Sequence, residues 1–123
     1  MNQVRLFFGA SAIYDLLLGL AFLIAPAYFF NLFNIAPPNH WGYVSFAGAM
    51  LAIFGIMFFQ IAKDPKVNQN LIPYGILLKI AYCGTVFGYH FLDSIPKIWV
   101  VFGYCDLIFL ALFIYSLILV KKA

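Results

Sequence analysis

Four stretches of about twenty mostly apolar residues follow one another along this chain and leave little sequence over for anything else. A helix crossing the hydrocarbon core of a bilayer needs about 20 such residues, within a range of roughly 17–25. The first stretch is expected to run from Val4 to Ile24 and on past Pro26 to Phe30, as one helix over 4–30. The others are predicted over 41–61, 71–92 and 95–120. Pro73 falls in the first turn of the third helix, where a missing N–H costs nothing. Ser94 reads as the N-cap of the fourth, with Pro96 just inside it. Because the loops are short, each helix is expected to lie antiparallel beside its sequence neighbour. The fold class is therefore all-α and integral to the membrane: one antiparallel four-transmembrane-helix bundle over residues 1–123, with no loop long enough for a second domain.

Composition excludes a soluble alternative. Hydrophobic residues make up 66% of the chain and charged ones 9%, where a soluble domain carries about 25% charged residues. The acids are Asp15, Asp64, Asp93 and Asp106, with no glutamate. A soluble globule would expose hundreds of square ångströms of contiguous Phe and Leu. The net charge of +3 does not point to nucleic acid, because the bases form no stripe with interleaved aromatics. Cys83 and Cys105 lie inside apolar segments and read as buried thiols acting as small hydrophobes. Ala25-Pro26-Ala27 resembles a secretory cleavage site, yet the apolar run before it is longer than a signal core of roughly 7–15 residues and carries Asp15 in its middle. The first helix is expected to be retained.

Basic residues set the orientation. With the N-terminus in the cytoplasm, Arg5, Lys63, Lys66, Lys121 and Lys122 fall on the inner side and Lys97 alone on the outer. A multi-pass protein with both termini cytoplasmic is expected. Small residues supply close helix contacts in lipid, where no hydrophobic drive acts between helices. Ser45, Gly48, Ala49, Ala52 and Gly55 share one face of the second helix, and Gly84 and Gly88 form a GxxxG pair on the third. Both strips are expected to pack within the bundle, ahead of a homodimer seam for the second. Trp41, Tyr43, Tyr74 and Trp99 fall near helix ends, at the headgroup level.

The chemistry, if there is any, lies with the ionisable residues inside the spans. An unpaired charge at mid-membrane costs ~2.5–3.5 kcal/mol even on the lenient insertion scale. At a rise of ~1.5 Å per residue, Lys79 lies ~12 Å, Asp15 ~16 Å and Asp106 ~21 Å from the cytoplasmic helix ends, differences that a lysine side chain can bridge. Ser11, Asp15, Gly19 and Phe22 share a face, as do Lys79, Tyr82, Cys83, Val86 and His90, while Gly103, Asp106 and Leu110 line up beside Tyr104. The expected buried polar cluster is Asp15, Lys79 and Asp106, hydrogen-bonded by the hydroxyls of Tyr14, Tyr82 and Tyr104. Either it is an ion pair that fixes helix register, or it is a proton or substrate site, since two acids share one base. His40, His90 and Asp93 fall together at the outer end. They are the right residue types for a metal, and two histidines can ligate haem, but no ligand spacing links them and interfacial histidines without such a role are commoner.

There is no GxGxxG, P-loop, HExxH, CxxC or CxxCH, and no serine with a partnered histidine. Tyr14-Asp15-Leu16-Leu17-Leu18-Gly19 followed by Pro26, Gly42 to Gly48, and Gly103-Tyr104-Cys105-Asp106 together give the chain an architecture that resembles the DoxX-like group of four-helix membrane proteins. The resemblance implies a membrane component, sometimes attached to a redox system; no site residue is carried over from it. The leading expectation is a non-catalytic membrane subunit or accessory protein that packs against a larger membrane partner. A small transporter or proton-coupled binder using Asp15, Lys79 and Asp106 comes next, and a quinone- or haem-associated redox protein third. The bilayer is the one partner the sequence names outright, and it names no cofactor.

Overall fold

The computed structural model describes residues 1–123. It contains α1 (Asn2–Ile24), α2 (Pro26–Leu32), α3 (Gly42–Lys63), a 3₁₀ turn at Gln69–Leu71, α4 (Ile72–Leu92) and α5 (Lys97–Lys122), with no strand. Four of these helices are long and apolar enough to cross a membrane, which makes this a multi-pass membrane protein with an all-α bundle.

The expected first helix over 4–30 is instead two helices, divided at Ala25 with φ −135° and ψ 54°. Pro26 has no N–H for the Phe22 carbonyl and pushes the preceding residue out of the α region, so Pro26 opens a new helix rather than continuing the old one. The chain then leaves α2 through Asn34 at φ 57°. There the Ile35 N–H donates to the Phe30 carbonyl at 2.8 Å, and asparagine tolerates the left-handed conformation this exit requires. At α5 the cap is Pro96 and not Ser94. Ser94 lies two residues before that cap, in an exposed loop where its backbone N–H donates to Asp93 Oδ1 at 2.8 Å.

Sequence neighbours do not all pack side by side. The helices form two antiparallel hairpins, α1 with α3 and α4 with α5, joined mainly along α1 and α5, while α3 and α4 scarcely touch. The 64–71 link explains this departure from expectation. Asn68 Nδ2 donates to the Gln60 and Asp64 carbonyls at 2.9 and 3.0 Å. Lys66 Nζ reaches across to the Val120 and Ala123 carbonyls at 3.2 and 2.8 Å, capping the end of α5. The link thus runs from α3 to the end of α5 and starts α4 against α5.

Glycines hold the first hairpin. A Cβ on Gly19 would lie 2.5 Å from the Ala52 nitrogen, and one on Gly48 would lie 2.6 Å from the Leu23 nitrogen. The two backbones are therefore in contact, and the strip on α3 packs within the bundle as expected. Gly84 and Gly88 do not: a Cβ at either would meet nothing within 4 Å, so this pair faces outward. Towards the termini the hairpins meet in an aromatic core. Phe8 stacks on Phe113 at 4.2 Å between ring centroids, and Phe58 meets Phe113 edge-on at 5.1 Å. All three rings are fully buried, and Gly75 leaves the room, since its Cβ would come within 2.8 Å of Phe58. At the opposite end Trp99 does not turn to the headgroups alone; it packs on Phe22 and Phe30 at 5.6 and 5.8 Å.

These contacts separate the glycines into two classes. Gly19→Ala and Gly48→Ala should each lower the detergent melting temperature by several degrees, since overpacking costs about 1–3 kcal/mol. Gly84→Ala and Gly88→Ala should leave it equal or slightly higher. Equal losses at all four positions would contradict the hairpin packing described.

Candidate functional site

Asp15, Lys79 and Asp106 come together, one from each of α1, α4 and α5. Their positions follow from helical period: the buried residues of α1 include Ser11, Asp15, Gly19 and Phe22, those of α4 include Gly75, Lys79, Cys83 and Val86, and those of α5 include Gly103 and Asp106. Lys79 Nζ donates to Asp15 Oδ2 at 2.8 Å and to Asp106 Oδ1 at 3.0 Å. Lys79 is 0% exposed and Asp15 1%, with Asp106 at 6%. The ammonium is thus an ion-pair bridge across three helices, with its stem and head wholly enclosed.

Aromatic faces complete the enclosure. Lys79 Nζ lies 5.3 Å from the Phe109 ring centroid, 5.6 Å from Phe58, 5.7 Å from Tyr14 and 5.9 Å from Phe113. Each ring presents its negative face to a cation within about 6 Å, and such contacts strengthen when water is excluded. Desolvating an ion pair costs several kcal/mol per ion, offset only where geometry is good and further partners are present. Two carboxylates and four rings around one ammonium meet that condition. Ser11 adds a longer hydrogen bond, donating to Asp15 Oδ2 at 3.4 Å.

The tyrosine hydroxyls do not bond to the cluster as the sequence suggested. Tyr14 offers its ring to Lys79, while its hydroxyl is buried without a partner. Tyr82 donates to the Trp99 carbonyl at 3.1 Å, and Tyr104 is 60% exposed with its ring edge-on to Phe87 at 5.3 Å. The reason is angular. Tyr104 is two residues from Asp106, about 200° round the helix, and Tyr14 is about 100° from Asp15. Tyr82 shares the Lys79 face but lies one turn further along, level with the α5 start.

The aromatic cage was missed from the sequence. Phe109 and Phe113 stand three and seven residues beyond Asp106, a spacing that places them on its face; nothing local marks Phe58. Ser11, four residues before Asp15, was readable as a face-mate though not as a donor. Cys83 Sγ lies 3.6 Å from the Gly103 carbonyl and joins α4 to α5. At the end away from the termini, His40 Nδ1 accepts the Gly42 N–H at 2.8 Å, His90 and Asp93 are exposed, and no three His, Cys, Asp or Glu side chains gather as a metal would require.

A second feature arises where α3 and α4 part. Between them lies an apolar groove of about 600 Å³. Tyr43, Ala47 and Leu51 form its α3 wall, and Leu78, Ala81 and Thr85 its α4 wall. Phe22 of α1 and Trp99 and Phe102 of α5 close its back.

No protein-family model matches the chain, and neither a characterised protein nor a solved structure gives a significant match.

The bridge makes a specific demand on substitution. Lys79→Met removes the cation from both acids and should lower the melting temperature in detergent. Adding Asp15→Asn or Asp106→Asn should each restore part of the loss, and the triple variant more than either. Polar couplings in membranes average only about 0.6 kcal/mol, so replicate melts are needed. Strict additivity of all single effects would mean that the three residues are not energetically coupled.

Proposed function

We propose that the chain is a non-catalytic membrane accessory protein that packs against a larger membrane partner, with both termini in the cytoplasm. The observation that carries this reading is the self-contained pairing of its intramembrane charges. Lys79, Asp15 and Asp106 engage one another at 2.8 and 3.0 Å behind a nearly closed surface. The remaining Lys, Arg and Asp residues lie in the loops or towards the helix ends. What the protein offers its surroundings is apolar helix surface. The resemblance to the DoxX-like group points the same way, as a likeness of architecture. Orientation is supported by the distribution of bases: Arg5 Nη1 donates to the Lys63 carbonyl and Lys66 reaches the Ala123 carbonyl, so these bases cluster at the end that carries both termini.

One observation favours a second reading, a small proton-coupled carrier. Asp15 Oδ1 and Tyr14 Oη are buried without hydrogen-bond partners, and unsatisfied buried polar atoms inside a membrane are functional candidates. Proton flux in sealed liposomes, abolished by Asp15→Asn, would favour the carrier over the accessory protein.

Solubilised from its native membrane in mild detergent, the protein should migrate in an assembly well above its own 13.9 kDa that contains another membrane protein in fixed ratio. A lone monomer, or copies of this chain only, would overturn the accessory reading. For orientation, Val67→Cys and Asn39→Cys should label from opposite sides of intact cells, Asn39→Cys from outside. Labelling of both from one side would break the topology.

A further inference from the structure

We propose that Arg5 and Lys63 hold the phosphate of an anionic glycerophospholipid whose upper acyl region lies along Ile56 and Phe59 on the outer face of α3. This inference requires only that the chain spans the membrane and does not depend on the accessory reading.

The backbone brings the two bases together. Arg5 Nη1 donates to the Lys63 carbonyl at 3.1 Å, so a guanidinium from α1 is fixed to the residue whose own side chain ends in an ammonium. Carbonyls in the last turn of a helix lack an intrahelical partner, and a cation there meets the favourable end of the dipole. The bond engages Nη1 and leaves the other N–H groups of the guanidinium fork free. Both bases are exposed. Neither forms an ion pair, since both salt bridges in the protein belong to Lys79. The acid at this end is Asp64, and its Oδ1 accepts the Val67 N–H at 3.2 Å inside the 64–71 link. Lys66, the next base, is engaged by the α5 carbonyls. Two cations are thus rooted at one corner without a protein carboxylate to neutralise them, and a phosphate answers both.

The surface below them selects a lipid over a free anion. Ile56, Phe59, Gln60 and Lys63 line one open depression on α3. Their i, i+3, i+4, i+7 spacing puts them on a single face, and all four are exposed. That face is graded along the helix. Ile56 and Phe59 lie deeper in the span, while Gln60 and Lys63 stand in the last turn of α3. Ile56 and Lys63 are separated by about 10 Å at the helical rise. A glycerophospholipid is graded in the same direction, from acyl chain through ester carbonyls to phosphate, and the Gln60 amide can donate at the ester level. On α1, Gly9 lies one turn deeper than Arg5 on the same face. A Cβ there would meet nothing within 4 Å, so α1 leaves room beneath the guanidinium.

Native mass spectrometry of the delipidated full-length chain in detergent, titrated with phosphatidylglycerol, should show one lipid bound ahead of any weaker ones. A base near an anionic lipid is worth about fivefold in affinity, so Lys63→Gln and Arg5→Gln should each weaken binding by about that factor. Lys122→Gln removes the same charge from the same end, but from α5, and should leave binding unchanged. Phosphatidylcholine should bind severalfold more weakly than phosphatidylglycerol. Glycerol 3-phosphate, which has the phosphate without the acyl chains, should not bind at the same concentrations. If Arg5→Gln unfolds the end of α3 by circular dichroism, Lys63→Gln decides, because only the Lys63 backbone carbonyl takes part in that contact. No loss in Lys63→Gln would overturn the proposal. Equal losses in Lys63→Gln and Lys122→Gln would do the same, by showing attraction to net charge in place of a site. So would equal binding of the two lipids, or glycerol 3-phosphate bound as tightly as phosphatidylglycerol. Since lipid mass is read on the isolated chain, failure here leaves the accessory reading standing, and the absence of a partner protein leaves the lipid site standing.

Discussion

One ammonium, drawn from α4, holds a carboxylate from α1 and another from α5, and the arrangement of the bundle follows from that bridge. In lipid, apolar helix faces have no preference for one another over acyl chains, so a chain that is 66% hydrophobic has little to choose one assembly over its alternatives. Lys79 supplies the choice. Its bond to Asp106 at 3.0 Å lies within the α4/α5 hairpin, and its bond to Asp15 at 2.8 Å joins that hairpin to α1. A helix rotated by one residue would turn its charged group about 100° away from the others and leave it towards lipid at a cost of ~2.5–3.5 kcal/mol or more. The bridge thereby penalises wrong rotations and wrong neighbours together.

The rest of the packing fits around that level. One turn beyond Asp15 on α1, Gly19 lets the α3 backbone approach until its Cβ position overlaps the Ala52 nitrogen. In the other direction, Phe8 reaches the Phe58 and Phe113 rings that stand against Lys79 from below. The glycine seam commits α3 to α1, and the cation commits α4 to α5 and α1. Both commitments draw α3 and α4 towards different neighbours, and the 64–71 link lets them separate. The groove is the space left between two satisfied interfaces.

Much of this was legible because helical period is strict and charges in lipid are rare. Asp15, Lys79 and Asp106 were identifiable as a cluster from depth and face alone, although their estimated depths differed by several ångströms; the lysine stem takes up that difference. The same logic failed for Tyr104, where a two-residue offset from Asp106 reverses the direction of the side chain. Gly48 and Gly84 illustrate a second limit. Both sit in small-residue strips, and a strip states that a helix can be approached closely without stating by which neighbour; only the packed bundle shows that the α3 strip is occupied and the α4 pair is open. Local chemistry at the ends was ambiguous for a different reason. Ser94 and Pro96 both suit a helix start, and the helix begins only after Pro96, since a proline keeps the residue before it out of the α region. At Ala25, the apolar pattern continued across Pro26 while the backbone could not.

The cluster and the groove share their scaffold. Leu78 and Tyr82 border the groove on either side of Lys79 in sequence, and Phe22 borders it on the same buried stripe of α1 as Asp15. Tyr82 ties α4 to the start of α5 through the Trp99 carbonyl, so the two walls supplied by those helices are joined directly. The width of the groove is consequently fixed by the distance at which Lys79 holds α4 from α1, while α3 is fixed separately by glycine contact. A buried pair that contributes little net stability can still have this consequence: it sets the position of a surface that faces the lipid. The polar residues inside the bundle then act on its environment through the shape they impose, without being exposed to it.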